Sequence, residues 1–173
     1  MLQKSSVKFL YTFYNIITAP GVMLHELGHT LFCVTAGVKI HKIKLFQFGK
    51  TAGYVVHDEP QKFFAGFLIS FGPLIVNSLV VLFLFSQWGE PYGWHEWLFL
   101  WLGVAFGLHA IPSTEDAHSL FQLANRRVFK NPLVVVGYPF VLVLYVLNVL
   151  KRLHIDWLYV VLLFWLGAMY LKF

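Results

Sequence analysis

The 173 residues are 58% hydrophobic, 18% aromatic and only 12% charged, with a mean hydropathy of +0.68, whereas a soluble domain carries about 25% charged residues. This composition excludes an ordinary soluble globule and points to an all-α, multi-pass membrane protein of one domain over residues 1–173, its spans joined by short connections. The net charge of +5 does not indicate nucleic acid, because the basic residues fall between apolar runs and form no basic face; they read as topology signals.

The chain opens with Lys4 and Lys8 and an apolar run from Phe9 to Thr18, the texture of a signal peptide. No small-x-small cleavage site follows, and the apolar character continues through Pro20-Gly21, so that reading is rejected. As a helix, Phe9 to Pro20 is about 18 Å long, short of a hydrocarbon core of about 30 Å. It is expected to be re-entrant or interfacial, with a break at Pro20-Gly21.

Next comes His25-Glu26-Leu27-Gly28-His29 inside an apolar run from Gly21 to Val34. Helical residues four apart share a face, so His25 and His29 can offer two ring nitrogens to one Zn²⁺, with Glu26 beside them as a general base. At membrane depth the carboxylate alone costs about 2.5–3.5 kcal/mol, which argues for function over polar glue between helices. Cys33, the only cysteine, rules out an internal disulfide and reads as a small core residue.

From Val38 to Phe48, basic residues interleave with Val38, Ile40, Ile43 and Leu45 in a partial period of two. With a turn at Gly49-Lys50 and a second strand over Ala52 to His57, this predicts a small β-hairpin insert whose edge could accept an extended substrate segment. Gln61 to Phe85 is long enough to span a bilayer and contains Gly72-Pro73 and Asn77. Gln87 to Glu96 is a polar, Trp-flanked connection, and Trp97 to Ile111 is apolar again. After a polar stretch to Asn131, two further membrane-spanning helices are expected at about 132–150 and 157–171.

Two histidines do not complete a zinc site. A third histidine in the metzincin position is absent, since Phe32 and Thr35 stand there instead of Gly and His. Glu59, Glu90 and Glu96 fall in loop-like segments, which leaves Glu115-Asp116 as the only acidic pair adjoining the end of an apolar span. Pro112 before it can break the helix and bring a carboxylate to the metal, and Asp116 is favoured.

These residues resemble the site-2-protease-like intramembrane zinc metalloproteases, over roughly residues 20–125. The family carries HExxH on a membrane-embedded helix, Gly-Pro-x-x-Asn on a second span and Asn-x-x-Pro…Leu-Asp-Gly supplying an aspartate ligand. The counterparts here are His25 to His29, Gly72 to Asn77, and His109 to Asp116. Asn77 follows Pro73 by four residues rather than three, His109 stands for the usual Asn, and Ala117 replaces Gly. The resemblance implies one Zn²⁺ held by His25, His29 and either Asp116 or Glu115, Glu26 as base, and Asn77 or His109 as substrate or oxyanion contacts. It implies an endopeptidase acting in or near the transmembrane segments of membrane-protein substrates; the alternative from another class is a scaffold that binds such segments without cutting them. The basic clusters Lys39, Lys42, Lys44, Lys50, Lys62 and Arg126, Arg127, Lys130 are expected on the cytoplasmic side of the cell membrane.

Overall fold

The computed structural model describes residues 12–48, 52–89, 93–151 and 153–171. In chain order these form helix α1 (Ala19–Thr35), strands β1 (Ile40–Lys44) and β2 (Tyr54–His57), and helices α2 (Phe63–Ser86), α3 (Trp94–Leu108) and α4 (Thr114–Arg127). A 3₁₀ segment (Pro132–Gly137) then leads into α5 (Tyr138–Lys151) and α6 (Ile155–Tyr170).

A helical stretch over residues 12–17 precedes α1, and the chain turns at Thr18, two residues before the expected break. Thr18 Oγ1 donates to Tyr14 O at 2.9 Å, and Pro20 falls in the first turn of α1, where a missing N–H leaves nothing unpaired. Lys4 and Lys8 lie outside the described residues, as do the Gly49-Lys50 turn and Glu90.

The hairpin is an antiparallel pair with Ile40 opposite His57 and Lys44 opposite Tyr54. Its ladder is irregular between Ile40 and Lys42. That is where the sequence places two polar residues, His41 and Lys42, side by side and the period-two pattern slips phase, as one extra residue in a strand requires.

Helix α2 is the central element, packed against α1, α3, α4 and α6. Toward its start, Phe71 joins Ala117 and Leu120 of α4 and Val141 and Leu144 of α5 in one buried cluster. Toward its end, Val81 and Phe85 join Leu108 of α3 and Val160 and Leu163 of α6 in another. Helix α1 can approach this frame closely because Gly28 meets the backbone of α2: a Cβ there would lie 2.9 Å from Pro73 Cα.

Two helical runs, Phe63–Ser86 and Val134–Lys151, are long and apolar enough to cross a membrane. The other apolar helices are shorter, α3 with 15 residues and α6 with 16. One face of α1 exposes Met23, Leu27, Leu31 and Val34 in helical succession, with Val34 65% exposed. Two stretches differ from the sequence expectation. Glu96 belongs to the first turn of α3, where it accepts from Gly93 N at 3.2 Å, rather than to a loop. The polar stretch after Pro112 is α4, an amphipathic helix that buries Ala117, Leu120, Leu123 and Ala124.

Candidate metal centre

Helix α1 places His25 and His29 one turn apart, their rings edge to face with centroids 4.9 Å from one another. Both Nε2 atoms turn to Asp116 at the start of α4: His25 Nε2 is 3.8 Å from Oδ2 and His29 Nε2 is 3.3 Å from Oδ1. One ligand atom from each of the three residues lies within 4.8 Å of the others, so this group could hold a metal ion.

The orientation of each ring comes from a carbonyl that its own helix cannot use. In α2, Pro73 has no N–H, so the carbonyl four residues earlier, Ile69 O, has no helical partner. His29 Nδ1 donates to that carbonyl at 2.9 Å. His25 Nδ1 donates to His109 O at 2.6 Å, and His109 is the residue that caps the end of α3, where terminal carbonyls are left over. A carbonyl only accepts, so both Nδ1 atoms carry a proton and both Nε2 atoms point at the carboxylate. A metal ion, or a proton on an imidazole, satisfies that meeting of nitrogen and carboxylate. Histidines whose second nitrogen is fixed by a backbone carbonyl are the usual outer support of a metal ligand, and the donor set therefore fits a metal.

Asp116 is held locally. Ser113 caps α4, and Asp116 Oδ2 accepts from Ser113 N and Ser113 Oγ, both at 2.7 Å, while Ser113 Oγ accepts from Asp116 N at 3.1 Å. Oδ1 remains on the histidine side. Helix α5 secures the loop behind this cap. Asn148 Nδ2 donates to Ser113 O at 3.3 Å, and Lys151 Nζ donates to Ile111 O at 2.6 Å. Helix α5 thus reaches the third-ligand loop through polar contacts as well as packing. Glu115 lines the same cavity from an exposed position and does not join the convergent group.

A cavity of about 470 Å³ opens on His25, Glu26, His29 and Asp116 and is walled by residues 52–55, His57, Ser113, Glu115 and Ser119. Glu26 is buried, and the backbone of Gly53 lies directly against it: a Cβ at Gly53 would be 2.8 Å from Glu26 Cγ. Only glycine lets the approach to β2 pass this close. A second cavity, of about 290 Å³, shares His57, Asp116 and Ser119 with the first and extends to Leu123 and Arg126.

Asn77 and His109 do not line the cavity at the ligands. Asn77 is fully buried and donates through Nδ2 to Phe106 O at 2.9 Å, tying α2 to the last turn of α3. His109 contributes its carbonyl to His25, and its own Nε2 is buried without a partner. Sequence reasoning missed Ser113, although Ser113-Thr114-Glu115-Asp116 is a Ser-x-x-acid capping pattern that singles out Asp116 over Glu115. It also missed Gly53, for which no local pattern exists. The chain has no match among protein-family models, curated proteins or solved structures.

Proposed function

We propose that this chain is an intramembrane zinc endopeptidase of the site-2-protease-like kind, cutting membrane-protein substrates at a site built on α1 and α4. The observation that carries the proposal is a carboxylate with no ligand role, Glu26, buried in the cavity onto which His25, His29 and Asp116 converge. The three ligand atoms lie within 4.8 Å of one another, close enough for His25, His29 and Asp116 to hold one ion together. When bound, zinc supplies Lewis acidity, acidifying a water and polarising a carbonyl oxygen.

The chain's own residues supply the rest. His25, His29 and Asp116 hold the ion and leave the cavity side open. Glu26 takes a proton from the water that attacks the peptide carbon, and delivers it to the leaving amine as the carbon–nitrogen bond breaks. A helical substrate hides its carbonyls in its own hydrogen bonds and must be unwound to be cut. Among the described residues β2 pairs with β1 alone, and Tyr54, Val55 and His57 line the cavity, so an extended segment added at the other edge of β2 passes the ligands.

A multi-pass membrane location is supported by the two span-length helices and by the exposed apolar faces of α1, α5 and α6. Lys62, just before α2, shares a cavity with Arg127 at the end of α4 and Lys130 beyond it. That shared end supports a common, cytoplasmic side for the two basic clusters.

The test is Glu26→Gln in the purified full chain. Bound zinc, measured by elemental analysis, is expected to stay at the parent level, while cleavage of a membrane-anchored substrate falls by about 10²- to 10⁴-fold. Substantial residual cleavage would refute the base assignment. Absence of cleavage by the parent protein on a panel of single-span substrates would instead favour a scaffold that binds such segments.

A further inference from the structure

Away from the metal centre, a cavity of about 450 Å³ is lined by Lys62, Phe63, Phe64, Arg127, Lys130 and Val134, together with Gln61 and Asn131. Its charge is of one sign. Three cations converge on it, no carboxylate lines it, and none of the three forms an ion pair with a described carboxylate. The nearby Arg126 is different, paired with Glu59 at 2.7 Å. Cations left together around one hollow repel each other unless an anion joins them.

The depth of the cavity follows from its lining. Phe63 begins one span-length helix and Val134 begins the other, so the cavity lies where both apolar runs start. In a bilayer that level is the headgroup region. Phe64 and Phe129 are 67% and 95% exposed beside it, giving apolar surface for the acyl region below a charged headgroup.

We infer that this basic cavity binds the phosphate of an acidic phospholipid headgroup, with Lys62, Arg127 and Lys130 contacting the phosphate and the exposed Phe64 lying against the glycerol and first acyl carbons. The inference rests on the membrane part of the proposed function and is independent of catalysis. Clusters of Lys and Arg flanking spans hold anionic lipids by charge, each cation adding about fivefold to affinity at a membrane surface.

The experiment is native mass spectrometry of the full chain in detergent, titrated separately with phosphatidylglycerol and phosphatidylcholine. The parent is expected to retain one phosphatidylglycerol and to prefer it over phosphatidylcholine. The triple variant Lys62→Gln, Arg127→Gln, Lys130→Gln is expected to lose that lipid by at least tenfold and up to about a hundredfold. A control that removes the same charge from the hairpin, Lys39→Gln, Lys42→Gln, Lys44→Gln, is expected to keep it. Equal loss in both variants means diffuse charge and overturns the site. Displacement of the lipid by millimolar inorganic phosphate means a soluble-anion site and overturns the lipid assignment. Glu26→Gln is expected to retain the lipid unchanged, so a failure of the protease proposal and a failure of this one are read separately.

Discussion

The two histidines of α1 are supported by two different regions, α2 and the end of α3, and the difference shows two ways a helix can release a carbonyl. At His29 the release is internal. Pro73 interrupts the ladder in the middle of a 24-residue helix and frees Ile69 O for the ring. At His25 it is terminal: α3 stops, Pro112 prevents continuation, and His109 O is available. Asp116 follows a third route, a capping box closed within four residues. A proline in a buried helix is thus a device for freeing an acceptor at a chosen position in the packed core.

The largest effect is expected from removing the ligand that α4 supplies. Asp116→Ala should lower metal affinity by more than the roughly 10- to 100-fold that an outer-shell partner contributes, while Glu115→Ala should leave it near the parent value. Zinc titration of both variants checks this, and the reverse ranking would transfer the ligand role to Glu115.

Next in size is the His25 support. A Cβ at Gly21 would collide with Ala105 O and approach the His109 ring to 2.7 Å. Gly21→Ala is therefore expected to push the end of α3 away from His25, destabilising the fold by about 1–3 kcal/mol and weakening metal binding. Thermal unfolding with and without zinc separates these two components.

The His29 support can be broken with the opposite sign on stability. Pro73→Ala restores an N–H that recaptures Ile69 O, and alanine is about 3 kcal/mol better than proline inside a helix. The fold should be at least as stable as the parent, yet metal affinity should fall about tenfold. Unchanged metal affinity in a folded Pro73→Ala protein would show that the freed carbonyl does not matter to His29.

The smallest effect is expected outside the helical frame. His41 Nε2 lies 2.6 Å from Asp58 Oδ1 at the mouth of the hairpin, and this bond holds the Asp58 carboxyl below its ordinary value. A carboxyl lowered in the folded state stabilises above the ordinary carboxylate range and loses that contribution as pH falls. His41→Ala should raise Asp58 toward the ordinary value, with Lys39 and His57 still holding it somewhat below, seen by NMR titration of the side-chain carbon, and with little change in metal binding because the pair is exposed.

His25, Glu26 and His29 were legible because a helix converts a spacing of four into a shared face without help from the rest of the chain. The hairpin was legible for a similar local reason, and even its irregularity is written in the adjacent His41 and Lys42. Asp116 was half legible: the capping pattern with Ser113 is local, but its meeting with α1 joins residues 87 positions apart in the case of His29. Helix α4 was passed over because its apolar positions are few and spaced for one buried face, while the search for spans favours continuous apolar runs.

By itself, then, the sequence determined the two histidines of the candidate metal group, the candidate base, the hairpin and the apolar character of the helices, since each depends on neighbours within a turn or two. Tertiary structure alone decided which carbonyls fix the imidazoles, why Gly53 must lie against Glu26, and that α5 steadies the loop of the third ligand through Asn148 and Lys151. The physical reason is that hydrogen bonds and close approaches between distant segments depend on where whole helices pack, and packing is a property of all the apolar faces together rather than of any one stretch.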